Sequence, residues 1–257
     1  MRILLAALLL VPAAALAGSA FDGTWKTKPE TMQQTGKPDA YQIVNGEYTC
    51  SSCSPAFTVK ADGKYHEAKG NPYRDSVAVT VLSPTSVHVS TRLAGKVTLD
   101  STLEVSADGA KLTGRFTDHT GAKAATASFT EKRVTAGPPG SHAISGSWQP
   151  ERVSGANDAL LTYQYAMTPD GFNMHWNGQS YDAKFDGKEY PVAGDPGHTQ
   201  VTLKRIDAHT VLETDRRQGK VTDEIRLAVA SDGKTMNVED KDLAHGQTTT
   251  MTLEKQQ

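Results

Sequence analysis

Cysteine is nearly absent, with two residues in a chain of 257. That excludes a four-cysteine zinc site and a scaffold held by several bridges. Basic residues do not predominate either: 27 Lys and Arg stand against 29 Asp and Glu, a net charge of −2. Nucleic acid and anionic membrane surfaces are bound through clustered positive charge, so neither is an expected partner. Beyond the first seventeen residues no apolar run approaches the roughly 20 residues needed to span a bilayer as a helix. Helical periodicity is scarce as well, and only Asp158 to Tyr165 suggests a short helix. No Gly-x-Ser-x-Gly elbow, His-Glu-x-x-His helix or phosphate-cradling glycine loop occurs, so no catalytic residue, metal ligand set or cofactor is expected.

The chain opens on Arg2 and an apolar run from Ile3 to Leu16, followed by the small-x-small pattern Ala15-Leu16-Ala17. This composition predicts a cleaved secretory signal over residues 1–17 and a periplasmic or secreted location. No cysteine follows the run to accept a lipid.

Displacing the sequence against itself by 124 residues reveals a repeat. About a third of the columns are identical between Lys60–Leu112 and Lys184–Met236. Asp62-Gly63-Lys64 meets Asp186-Gly187-Lys188, Gly70 and Pro72 meet Gly194 and Pro196, and Gly95-Lys96-Val97-Thr98 meets Gly219-Lys220-Val221-Thr222. With one residue less, Gly23-Thr24-Trp25 meets Gly146-Ser147-Trp148. The expected organisation is a module over 21–135, a Gly/Pro linker over 136–142 and a second module over 143–257.

Within each copy the apolar residues alternate, as in Val77, Val79 and Val81 or Ile225, Leu227 and Val229, the period of a strand with one buried face. Asn45-Gly46, Asp108-Gly109, Asn177-Gly178 and Asp232-Gly233 punctuate these runs, and such pairs supply the positive φ of tight hairpins. The fold class is all-β, with about eight antiparallel strands per copy, enough to close into a barrel and remove exposed edges.

The segments Phe21-Asp22-Gly23-Thr24-Trp25 and Ile144-Ser145-Gly146-Ser147-Trp148 resemble the Gly-x-Trp motif on the first strand of lipocalins and other calycin barrels. The resemblance implies two tandem calycin-like (lipocalin-like) β-barrels with Trp25 and Trp148 as end plugs. It also implies a basic cover from the last strand, Arg133 in copy one, where the matching column of copy two holds Gln256. Segments such as Tyr48-Thr49-Cys50-Ser51-Ser52-Cys53 and Gly70-Asn71-Pro72-Tyr73 are similar to those of a group of uncharacterised bacterial exported proteins. That likeness implies export without naming a reaction.

In an oxidising compartment Cys50 and Cys53 are expected to form one structural disulfide, with thiol exchange or soft-metal capture as the alternatives. Tyr73, Arg74 and Asp75, together with His198 in the matching turn of copy two, are candidate ligand contacts if those turns lie at a barrel mouth. Asp240 and Asp242 share one strand face and read as solvated charge. The expected function is binding of a small apolar or amphipathic molecule in one or both barrels, with small interior residues such as Ala78, Ala125 and Ala127 leaving room for it. The alternatives are an envelope structural or interaction protein with filled barrels, and an enzyme or Cys-x-x-Cys redox protein whose residues are not recognisable from motifs.

Overall fold

The computed structural model describes residues 18–257, so the signal segment expected over 1–17 lies outside the described residues. The first strands are β1 (Gly23–Thr27), β2 (Gln33–Gly36), β3 (Asp39–Val44), β4 (Glu47–Cys50), β5 (Phe57–Lys60), β6 (Asp62–Asn71) and β7 (Arg74–Ser83). They are followed by β8 (Ser86–Leu93), β9 (Lys96–Val105), β10 (Lys111–Asp118), β11 (Ala125–Ala136) and β12 (Gly146–Ser154). A single-turn helix α1 (Asp158–Leu161) then leads to β13 (Thr162–Met167), β14 (Gly171–Trp176), β15 (Gln179–Lys184), β16 (Tyr190–Pro191) and β17 (Gln200–Arg205). The chain ends with β18 (Thr210–Arg217), β19 (Lys220–Val229), β20 (Thr235–Asp242) and β21 (Gln247–Lys255). None of the helices among the described residues is long and apolar enough to cross a membrane.

These strands form two nearly closed antiparallel barrels of ten strands each, two more than the alternation suggested. The extra strands are short ones, such as β4 and β5, whose burial pattern is too brief to show a period. The first barrel runs in the order β5-β4-β3-β12-β11-β10-β9-β8-β7-β6, and the second in the order β15-β14-β13-β1-β21-β20-β19-β18-β17-β16, with β2 hydrogen-bonded to β21 beside that path. The second barrel is closed by Ser180 and Ala193, which exchange hydrogen bonds of 3.0 and 2.7 Å. Hairpins are set where the sequence places Asn-Gly: Asn45-Gly46 has φ of 51° and 77°, and Asn177-Gly178 has 43° and 86°.

The opening strand of each repeat lies in the other repeat's barrel. β1 sits between β13 and β21 (Trp25 opposite Tyr163 and Lys255), and β12 sits between β3 and β11 (Trp148 opposite Asp39 and Arg133). The first barrel is thus continuous in sequence over residues 39–154. The second is interrupted by it.

Both indoles are fully buried. Trp25 belongs to the core that contains Phe21, Phe172, Val211, Met236 and Leu253, and Trp148 to the core that contains Ile144, Val77, Val87 and Leu112. Each indole N–H donates to the carbonyl four residues back, Phe21 at 2.7 Å and Ile144 at 2.9 Å, so neither polar atom is stranded. Arg133 lies 3.9 Å above the ring of Trp148, not over Trp25 of its own repeat, because β11 neighbours β12. Over Trp25 the basic cover is Lys255, at 5.1 Å, in place of Gln256. Arg133 also donates to the carbonyls of Ser145 and Ala143. Gly146 has φ of 137°, and a Cβ there would run into the Thr135 carbonyl and the Arg133 guanidinium, which explains glycine two residues before the tryptophan.

Cys50 and Cys53 are bonded, with the Cys50 side of the bridge fully buried in the first barrel's core. The loop is so short that closing it removes little unfolded-state entropy. The double change to Ser is therefore expected to cost at most about 2 kcal/mol in denaturant unfolding. A loss well beyond that would show that the bridge holds native packing rather than merely closing a local loop.

Candidate functional site

The inward face of each barrel changes character along its axis. In the second barrel β18 turns Val211, Glu213 and Asp215 inward, and β19 and β20 place Leu227, Ile225 and Asp223 beside Val238, Asp240 and Asp242 in register. The end nearest Trp25 is apolar and the opposite mouth is acidic. In the first barrel Val87, Leu103, Val105 and Leu112 fill the end nearest Trp148, while Val89, Thr91, Leu99, Phe116 and Phe129 lie towards its mouth.

The two mouths open on one cavity of about 820 Å³, lined by both barrels. Its first-barrel wall is rich in aromatic and apolar side chains, Tyr41, Tyr48, Phe57, Leu103, Phe116 and Phe129, interspersed with Thr91, Thr98 and Ser101 and with the charged Arg74 and Asp118. On the second-barrel wall Met174, Trp176, Val192 and Ile225 are joined by Asp195, Glu213, Asp215, Arg217 and His245. The seam is fastened beside the cavity by the turn at Asn177, whose carbonyl accepts from Ala122 N–H at 2.7 Å and whose side chain accepts from Lys123 N–H and donates to its carbonyl.

The turns of residues 70–75 and 194–198 meet at this seam. Tyr73 lines the cavity with its ring 5.4 Å from the Arg217 guanidinium and its hydroxyl beside Asp195 and Thr199. Burial, reinforced by Asp195, raises that phenol to about 12 against the pull of Arg217. Arg74 is 8% exposed, lies 4.5 Å above Phe57 and donates to the Pro55 carbonyl at 3.3 Å, leaving Nη1 unpartnered. Asp75 turns away from the cavity and accepts from Ala94 N–H at 2.6 Å and the Ser76 hydroxyl at 2.9 Å. His198 is exposed, with φ of 53°, outside the cavity lining. Ala78, Ala125 and Ala127 are buried but do not line the cavity either.

Sequence patterns alone missed the acidic layer. Glu213 is 7% exposed and accepts from the Tyr181 hydroxyl at 2.6 Å. Asp215 is 9% exposed, and its Oδ1 has no partner. Burial and the neighbouring Glu213 and Asp223 push Asp215 up to about 9. Burial and the nearby Asp223 and Asp242 push Asp240 up to about 7. Arg217 lies 3.3 Å from Asp223 and donates from Nε to the Thr199 hydroxyl at 2.9 Å. The available signal was the period of two itself: Val211, Glu213, Asp215 and Met236, Val238, Asp240, Asp242 continue an inward face into charged residues. Asp240 and Asp242, read from sequence as solvated charge, are both partly buried.

A scan against protein-family models gave no match, and searches of curated proteins and of solved structures likewise gave none. The chemistry of the site therefore rests on its own geometry. Among the described residues no group of three or more His, Cys, Asp and Glu is arranged to hold a metal ion.

A smaller cavity of about 270 Å³ adjoins Asp39, Tyr41, Phe129 and Glu131. Glu131 is 3% exposed, and burial beside Asp39 raises its carboxyl to about 8.

Proposed function

We propose that this protein binds a small amphipathic molecule in the cavity between its two barrels. The observation that carries the reading is the joint cavity, whose volume falls within the range of roughly 300–1,000 Å³ common for small-molecule sites. One wall supplies apolar area and the other a few convergent polar groups, the combination that gives affinity and orientation respectively. The Cys50–Cys53 bond supports action outside the reducing cytoplasm, in the periplasm or after secretion. The likeness to calycin barrels supports the same reading, since closed barrels of this kind enclose ligands.

The test uses the apolar fluorophore 1-N-phenylnaphthylamine, whose emission rises on leaving water. Saturable binding is expected, and Ser101→Trp, which fills the cavity from β9, should weaken it at least tenfold. Absence of saturable binding, or binding indifferent to Ser101→Trp in a folded variant, would remove the ligand-binding reading.

A further inference from the structure

Taken column by column across the repeat, the two mouth layers have diverged in one direction. Val89, Thr91, Leu99 and Phe116 in the first barrel correspond, at the same displacement of 124 residues, to Glu213, Asp215, Asp223 and Asp240 in the second. The pairing confirms the correspondence in space: Phe116 lies opposite Ser101 in the first barrel as Asp240 lies opposite Ile225 in the second. Four positions in one copy are apolar or weakly polar, and all four matching positions are carboxylic acids. With Asp242, whose counterpart Asp118 is also acidic and lines the cavity, they make five carboxyl groups in the second barrel, faced by Arg217 and by His245, which bonds Asp242 at 2.6 Å.

Placing several carboxylates in one partly desolvated layer is costly unless positive charge joins them. Arg217 is engaged by Asp223 and Thr199. Asp215, more than nine-tenths buried and part of the cavity lining, keeps Oδ1 without a partner; Asp240, partly buried behind the lining in the same layer, also has an unpartnered Oδ1. The carboxyl groups are not arranged to coordinate a metal ion. An alkylammonium suits them better, because it directs separate N–H donors to separated oxygens at hydrogen-bond distance. Aromatic rings across the cavity, Phe116 and Phe129 among them, offer apolar area and negative ring faces to the same ligand.

We infer that the ligand is an amphipathic cation, its protonated amine held by the acidic layer around Asp215 and Asp240 and its apolar part lying against the aromatic wall of the first barrel. This rests on the cavity being the binding site. Without ligand, Asp215 and Asp240 relieve their repulsion by holding protons; Glu213, Asp223, Asp242, Arg217, His245 and the hydroxyls of Tyr163 and Tyr181 are the titratable groups around them. A bound ammonium replaces those protons, so binding is coupled to their release.

The experiment displaces 1-N-phenylnaphthylamine from the full-length mature protein near neutral pH with dodecylamine, dodecanol and dodecanoate, which share one chain and differ in head charge. Dodecylamine is expected to compete at least tenfold better than dodecanol, and calorimetry in buffers of different ionisation enthalpy should register proton release with the amine alone. The Asp215→Asn/Asp240→Asn variant, which substitutes neutral amides of similar shape, should bring the amine's competition down to that of dodecanol. Equal competition by all three would overturn the cation site while leaving the ligand cavity in place. Strongest competition by dodecanoate would overturn it in favour of Arg74 as an anion anchor. Failure of the fluorophore to bind would remove the proposed function itself.

Discussion

A fragment spanning residues 157–257 is expected not to fold on its own and to fold when a synthetic peptide of residues 18–31 is added. The fragment lacks β1, leaving β13 and β21 as two unpaired edges and the end nearest Leu253 without Phe21 and Trp25. Unpaired edges and an unfilled core are both strongly destabilising. The complementary fragment, residues 37–156, contains every strand of the first barrel including β12 and should unfold cooperatively alone. Circular dichroism and tryptophan fluorescence of the two fragments, with and without peptide, check both statements. In the intact chain Trp25→Ala should cost about 3 to 5 kcal/mol, the usual range for a large buried aromatic. Cooperative unfolding of 157–257 without peptide would show that β13 and β21 can seal the barrel between themselves.

Stability should fall as pH rises from about 5 to about 9. Asp240, Glu131 and Asp215 have folded values of about 7, 8 and 9, all raised above those of free carboxylic acids, with burial the largest cause in each. The native state therefore keeps protons that the unfolded chain has released, and a raised folded value stabilises fully below the unfolded value near 4 and is lost by the time pH passes the folded one. Each retained proton contributes about 1.4 kcal/mol per pH unit over its interval. The carboxyl groups interact and are partly hydrated, which discounts the sum, while Asp242 and Asp195, shifted downward, are ionised in both states over this interval and leave the trend unchanged. A net loss of about 3 kcal/mol between pH 5.5 and 9 is expected after that discount. Urea unfolding at several pH values measures it. A profile that is flat or rises over this interval would mean the acidic layer is ionised in the native state, and Asp215→Asn/Asp240→Asn should flatten a falling one.

Much of the fold was legible because local chemistry and global pattern agree. Asn45-Gly46 and Asn177-Gly178 form the tight turns their residue types favour, and the alternation of Val77 with Val79 marks buried faces that the structure contains. The exchange of opening strands was not legible. Phe21–Trp25 and Ile144–Trp148 present nearly the same side chains to nearly the same slot, so the pattern of either suits either barrel. The chain path decides, since the turn over 137–145 returns β12 directly alongside β11, with Gly137 N–H bonded to the Ser145 carbonyl at 2.9 Å. Of the candidate contacts, Tyr73 and Arg74 line the cavity whereas Asp75 and His198 do not, because Asp75 is held by the Ala94 N–H and the Ser76 hydroxyl and His198 stands exposed on its turn. Carboxylates on an inward face imitate a solvated face in sequence, and only their place inside the second barrel, with the first barrel facing them, exposes the difference.

The exchanged strands also govern how the barrels can move. The chain passes from the second barrel to the first after β2 and returns after β12, so two separate covalent tethers join bodies that a simple tandem array would join by one. Two tethers at different points suppress twisting and sliding and leave rocking about the line between them as the softest relative motion. Such rocking would open and close the gap between the mouths like a clasp. The fastening of Asn177 to Ala122 and Lys123, and of Tyr73 beneath Arg217, then acts as the catch.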